Sequence, residues 1–504
     1  MPTDVPTIAV TQLIGTDLAP AVTRPQYDRA AVTAGIGHIG VGNFHRTHEA
    51  LYVDACLHLP GQSGWGIVGI GLGDSPAARA KAAAFAAQDS LYTVTEYGND
   101  GTAHSRLVGA MVEYLHAPAD PEAVLARLAD PDIRIVSLTI TEGGYNIDEA
   151  TGAFDVENPD VQHDLHSSLP RTAFGYITEA LRRRKDNGDP AFTVLSCDNL
   201  RSNGDTSRTA IVGFAEAKDP ELAQWISATV AFPNSMVDRI APAVTEEVKH
   251  KLNAQTGVDD LLPAIAETFS QWVLEDRFSA GRPALEAVGV ELRDDVAAFE
   301  TIKGRMLNAS HMMMVYPALL SGYRLVHEAM TDAIIVDLLR QFLERDVRPH
   351  IQGPPGVSLD DYAAAALDRF ANPAVGDQLL RIAGDGASKL PTFHTRTISI
   401  LLDGDHDISR EALMVAAFRK YIRGTDDRGH TYDIDEPHLT ETDWTLLRSD
   451  DPLDALRTSP FASLHLADHS AFVEVYLALV AQIDDVGMAA TVTALLASPG
   501  SQAG

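Results

Sequence analysis

Lys303, Asn308 and His311 stand within one short run, KGRMLNASH, and Met312, Met313 and Met314 follow directly. An amine, a carboxamide and an imidazole at this spacing could together bind a hydroxyl and take its proton. The neighbours are good helix formers with no proline before Pro317, so the run predicts the start of a helix. At about 100° per residue, Lys303, His311 and Asn308 point roughly 0°, 80° and 140° around its axis, so all three share one face. A lysine at a desolvated site can lose its charge and serve as a base. The same face could equally be a solvated Lys, a capping Asn and a core His beside a stripe of packing methionines. The rest of the chain has to decide between the two.

The chain of 504 residues is too long for one ordinary core and predicts two or three domains. No apolar run approaches the roughly eighteen residues that a membrane span needs. The opening MPTDVPTIAVTQLIG lacks the basic and apolar regions of a secretory signal. Cys56 and Cys197 are the only cysteines, which suits a reducing cytoplasm and offers neither a zinc nor a disulfide framework. A net charge of −31, with no basic stripe to offset it, argues against a nucleic-acid partner. It also makes any cationic cluster more informative. The final ASPGSQAG is expected to be a frayed tail.

Several elements must position the chemistry. A short apolar strand, Ile36 to Ile39, runs into Gly40-Val-Gly42 and then a helical pattern, the layout that sets helix amides against a pyrophosphate. The first two glycines of the dinucleotide fingerprint are present, and His45 occupies the third position. A second strand, Trp65 to Leu72, leads to Asp74, which is either an acid for ribose hydroxyls or the cap of the next helix. Buried strands at Arg134 to Thr141 and Phe192 to Cys197 end at Glu142 and at Asp198-Asn199, where an open parallel sheet lines its ligand crevice. Residues 205–228 read as one helix and so do 470–496. From Val296 onward almost every segment has helical periodicity. The predicted fold is therefore an α/β, Rossmann-like domain with a mostly parallel sheet over 1–295, followed by a mainly α-helical domain over 296–504. The active site is expected in the cleft between them.

GVGNFHRTH, SLTITEGGY, SCDNL followed by NG, FPNSMVDRI, QWVLEDRF with GRP, and Lys303-x4-Asn308-x2-His311 occur in this order. Together they resemble the polyol-specific long-chain dehydrogenases, and within that family the mannitol 2-dehydrogenase group most, from about residue 30 to the 420s. The resemblance implies metal-independent, NAD-linked interconversion of a sugar alcohol and a ketose, D-mannitol oxidised at C2 to D-fructose, by a protein that is often a monomer. It implies Lys303 as general base, Asn199 and Asn308 as the two amides on the reacting oxygen, and His311 as the substrate-orienting group. Asp238, Arg381 and Lys389 match substrate contacts, and Glu300 and Glu142 match acids implicated in proton passage. Gly40, Gly42, Asn43, Phe44, Arg46 and Asp74 match cofactor positions. Asp74 would repel a 2′-phosphate, which favours NAD.

The chemistry of these residue types agrees. Hydride departure from an alcohol carbon leaves a carbonyl only if the hydroxyl proton also departs, so a base must lie within hydrogen-bond reach. Two amide N–H groups would steady the oxygen as it gains charge. Glu300, three residues before Lys303, could relay its proton or merely pair with it. The same chemistry on D-arabinitol, D-sorbitol or fructuronate is the alternative, and a non-catalytic NAD- or sugar-binding sensor is the alternative of another class. His45-Arg-Thr-His48-Glu49 lacks H-E-x-x-H, and the Asp403-Gly-Asp405-His-Asp407 run lacks the glycine and glutamate of a calcium loop.

Overall fold

The computed structural model describes residues 8–14, 21–147 and 152–498. The N-terminal heptapeptide and most of the expected C-terminal tail lie outside them. The chain divides into two compact units, Met1–Ala297 and Ala298–Gly504.

In the first unit, five strands form a fully parallel sheet: β1 (Ala34–Ile39), β2 (Gly66–Gly71), β3 (Met111–His116), β4 (Ile135–Leu138) and β5 (Thr193–Ser196). Their spatial order is β3-β2-β1-β4-β5. All residues of β1, β4 and β5 are buried. Covering a sheet on both faces demands contiguous apolar runs rather than alternation, which is why these strands are visible in the sequence. One face packs under Val124, Leu128, Ile177 and Phe214, and the other against Val53, Leu57, Trp272 and Leu274. Asp120 caps the helix Pro121–Ala129, and Thr172 caps Ala173–Asn187, each accepting an amide of the first turn. The expected helix over 205–228 is two, Asn203–Lys218 and Pro220–Thr229, because Asp219 leaves helical geometry and caps the second. The unit also holds a mixed four-stranded sheet, an antiparallel-parallel three-stranded sheet containing Ser235–Asp238, and a two-stranded parallel pair of Ile8–Ala9 with Val258–Asp259.

The second unit is helical around one core that includes Met306, Met312, Met313, Tyr316, Leu413 and Phe418. The expected helix start near Lys303 is corrected. Val296–Ile302 is already α-helical, Lys303–Asn308 is a π-turn, and Ala309–Leu320 resumes the α-helix with Pro317 inside it. The Ala309 N–H bonds the Gly304 carbonyl, five residues back. Arg305, buried, pins this turn by donating from Nε to Thr397 Oγ1 (3.2 Å) and from Nη1 to the His350 carbonyl (3.0 Å). The expected helix over 470–496 breaks at Gly487, whose φ of +83° suits glycine, into Ser470–Val486 and Met488–Ala497. Among the described residues no helix is long and apolar enough to cross a membrane.

Candidate active site

The first unit carries the glycine turn. Gly40 has φ +98°, and a Cβ there would meet the Thr139 carbonyl oxygen at 2.1 Å, so only glycine fits. A Cβ on Gly42 would meet only the Gly40 carbonyl oxygen, at 3.8 Å, so no neighbour crowds that side of the turn, and a glycine there lets a pyrophosphate approach the backbone closely. The helical pattern after it is two helices, Asn43–Thr47 and Glu49–Leu57, separated at His48 (φ −123°, ψ −90°). Arg46 is buried and donates to the Gly42 carbonyl (3.3 Å), Asn43 Oδ1 (2.6 Å) and the Leu262 carbonyl. Asn43 also reaches the Pro242 carbonyl, and Phe44 stacks on His48. From the next helix, Lys81 Nζ donates to the Val41 carbonyl (3.1 Å).

His45 fills the place of the third fingerprint glycine, whose role is close helix–strand packing. It does so by stacking its ring on His38 of β1, centroids 3.5 Å apart and planes 15° apart. Glu49 joins them, Oε2 standing 3.0 Å from His38 Nδ1 and 3.8 Å from His45 Nε2, all three residues buried. Stacked rings run their in-plane lone pairs side by side rather than converging on one ion, and both His38 nitrogens face hydroxyls, Ser137 at 2.8 Å and Thr139 at 3.0 Å. The trio is therefore packing that replaces a glycine.

Asp74 follows β2 but does not cap the next helix. Ser75 does, accepting the Ala78 N–H. Asp74 is instead gripped by Arg79, Nε to Oδ1 and Nη2 to Oδ2, each 2.8 Å, and this fork lowers its carboxyl pKa below the usual range. The sequence reading named Asp74 without this partner, although DSPAAR carries the signal: an arginine one turn into the helix.

Asn199 is exposed just beyond β5, and its neighbour Asp198 is buried. The Asp198 carboxylate accepts the N–H groups of Ile140 (3.0 Å) and Thr141 (2.9 Å) and the hydroxyl of Tyr145 (2.6 Å). Burial still raises its pKa above the ordinary carboxylate range. These bonds hold Thr141 at φ +65°, a strained conformation for a non-glycine residue, immediately before the short helix Glu142–Tyr145. Asp238, 3% exposed, closes its strand.

The second unit carries the rest. Lys303 is 9% exposed on the π-turn, and Glu300 lies on the helix that enters it. Asn308 ends the turn half-buried, and His311 stacks on Phe370, centroids 4.0 Å apart. Lys389 donates to the carbonyls of Ile382 (3.2 Å) and Gly384 (2.5 Å), closing the loop after the short helix that holds Arg381. The Arg381 guanidinium is forked onto Asp377 at 2.8 and 2.6 Å through Nε and Nη2. Sequence reasoning missed His394, which bonds the carbonyl of the residue after the π-turn, and Glu411, which holds the other side of its ring; neither carries a local motif.

A parallel 3-2-1-4-5 sheet with this glycine turn after its central strand, followed by a helical unit, defines a dinucleotide-binding Rossmann dehydrogenase. The mannitol dehydrogenase Rossmann-domain model matches residues 34–287, and the mannitol dehydrogenase C-terminal-domain model matches 295–483. The chain is 48% identical over 475 residues to a polyol:NADP oxidoreductase of Gluconobacter oxydans (strain 621H), covering 94% of this chain and 97% of the relative. It is 44% identical over 421 residues to a mannitol 2-dehydrogenase of Cereibacter sphaeroides, covering 83% and 87%. Among solved structures it superimposes on the Pseudomonas fluorescens mannitol 2-dehydrogenase ternary complex with NAD and D-mannitol (TM-score 0.89, 41% identity, 95% and 98% covered). It also superimposes on a substrate-free D-sorbitol dehydrogenase (TM-score 0.85, 47% identity, 94% and 97% covered). The chain belongs to the mannitol dehydrogenase family and is a polyol dehydrogenase of the mannitol 2-dehydrogenase type.

Proposed function

We propose that the chain oxidises D-mannitol at C2 to D-fructose and catalyses the reverse reduction, with Lys303 as general acid/base and no metal. The observation that carries this reading is a buried lysine on a π-turn, with Asn308 five residues on at the turn's end and His311 on the helix that continues it. π-turns inside α-helices concentrate at functional sites. Burial strips an ammonium of hydration, the condition under which a lysine accepts a proton. Lys303 takes the C2 hydroxyl proton, and Glu300, one turn earlier, passes it toward solvent. Asn308 and Asn199 donate to the reacting oxygen as charge grows there. His311, its ring fixed by Phe370, orients the neighbouring hydroxyls, with Asp238, Arg381 and Lys389 reading those further along. Glu142 is a second candidate for proton passage. Gly40, Gly42, Asn43 and Phe44, on a turn braced by Arg46, would hold a nicotinamide dinucleotide, which would supply the hydride acceptor. In this reading the protein works in the cytoplasm, in keeping with two buried cysteines that are both free thiols.

A second reading, oxidation of D-sorbitol with NADP, is favoured by the relatives named polyol:NADP oxidoreductase and D-sorbitol dehydrogenase. D-Mannitol and D-sorbitol are epimers at C2, so at that carbon the choice rests on which configuration sets the hydroxyl toward the base and the hydrogen toward the cofactor. An initial-rate panel separates them: NADH and NADPH, each with D-fructose, L-sorbose, D-xylulose and fructuronate, then D-mannitol and D-sorbitol in the oxidative direction. The mannitol assignment fails if D-sorbitol is oxidised with the higher kcat/KM.

A further inference from the structure

Basic groups gather at the carboxyl ends of β1 and β2 in a chain whose net charge is −31. Lys81 reaches the Val41 carbonyl, and His116 Nε2 lies 2.9 Å from the Gly73 carbonyl. Arg79 grips Asp74 beside them. The end of the second strand of such a sheet is where the adenosine ribose sits. A lone acid there accepts the ribose hydroxyls and rejects a 2′-phosphate, whereas a nearby arginine accommodates one.

Asp74 is not alone. Both its oxygens are held by Arg79 through Nε and Nη2, and both side chains are more than half exposed. That bond pattern occupies one edge of the planar guanidinium. Nη1 makes no hydrogen bond among the described residues, so the other edge offers its N–H groups outward in the fork geometry that suits phosphate. Asp74 thus serves to orient a cation rather than to repel an anion, and its own charge is balanced by the group it orients.

We propose that Arg79 is a cofactor-specificity residue whose outward edge takes the 2′-phosphate of NADP(H), while Asp74 holds its inner edge, so that this chain accepts the 2′-phosphorylated dinucleotide. The proposal rests on the dinucleotide-dehydrogenase reading of the first unit. It reverses the expectation that Asp74, by repelling a 2′-phosphate, favours NAD.

Calorimetric titration of the full chain with adenosine 2′,5′-bisphosphate and with 5′-AMP tests it without turnover. The expected result is tighter binding of the bisphosphate than of AMP. Arg79→Ala should then lose about tenfold or more for the bisphosphate while AMP moves less than about twofold, with Arg79→Lys between. The NADPH-to-NADH ratio of kcat/KM should fall in parallel in Arg79→Ala. The role of Arg79 is overturned if AMP binds as tightly as the bisphosphate in the wild type, or if Arg79→Ala shifts both ligands equally or neither. If neither compound binds the wild type, the nucleotide reading of the whole unit falls, and the proposal with it.

Discussion

The Nε2 of His394 lies 3.2 Å from the carbonyl oxygen of Ala309, the residue that follows the π-turn carrying Lys303 and Asn308. A carbonyl can only accept, so Nε2 carries the donated hydrogen. The other nitrogen, Nδ1, lies 2.9 and 3.1 Å from the two carboxylate oxygens of Glu411, and both side chains are buried. The pair braces one end of the turn while Arg305 is anchored on Thr397 and His350.

Removing one member should be worse than removing both. His394→Phe leaves a buried carboxylate without its donor and is expected to lose about 3–5 kcal/mol of stability, whereas His394→Phe with Glu411→Leu should recover most of that. If the brace positions the turn, the stable double variant still turns over markedly more slowly at unchanged cofactor affinity. Thermal melts and kcat on the two variants check this, and wild-type kcat in the double variant would remove the positioning role.

Lys303→Met preserves the length of the buried side chain and deletes the amine. Turnover in both directions should fall by about 10³-fold, within the range that a positioned acid/base supplies. Cofactor binding followed by nicotinamide fluorescence should be unchanged. Near-normal rates would show that another group moves the proton.

Glu49 Oε2 is buried 3.0 Å from His38 Nδ1 without forming a hydrogen bond to it, and both ring nitrogens of His45 are buried without a hydrogen-bond partner among the described residues. Burial, with His38 and Arg46 nearby, keeps His45 well below the usual histidine range and hence neutral. Glu49→Gln replaces the buried carboxyl group by an amide that can donate to His45 Nε2. The expected outcome is a gain of about 1 kcal/mol, read as a higher Tm. A loss near the 3–5 kcal/mol expected when a buried ion pair is broken would instead identify Glu49 as the counter-ion of His38.

Glu436 accepts the N–H groups of Gly386 (3.0 Å) and Ala387 (2.9 Å) where the helix Gly386–Asp403 begins. Burial outweighs those two bonds and pushes its pKa up from 4.5 to about 7. A carboxyl raised on folding contributes stability that is complete below pH 4.5 and declines as the pH climbs through about 7. The decline should be on the order of 2–3 kcal/mol. Chemical denaturation of the wild type and of Glu436→Gln between pH 5 and 8 measures it: the difference between them should shift steadily in favour of the variant as pH rises. A pH-independent difference would mean that Glu436 is ionised throughout.

Much of the first unit was legible because parallel strands buried on both faces must be written as contiguous apolar runs. Gly40 is legible for a related reason, since a backbone at φ +98° against the Thr139 carbonyl admits no other residue. Capping residues such as Asp120 and Thr172 also act within a few residues of where they stand. Asp219 acts as locally as they do, yet the apolar spacing on either side of it is continuous, so periodicity alone runs one helix through it.

What the sequence determined by itself, then, was the order of strands and helices and the motifs that mark Lys303, Asn308, His311 and Asn199. These depend on burial periodicity and on residue types within a few positions of one another. The tertiary structure alone decided that the Lys303 stretch is a π-turn rather than a helix start. Its braces come from 85 residues away at His394 and 92 at Thr397. It also decided that Asp198 reaches 57 residues back to strain Thr141, and that His45 stands in for a glycine by stacking on a strand histidine. Contacts between segments this far apart leave no periodicity in the chain, because the partner that imposes each geometry is supplied only by folding.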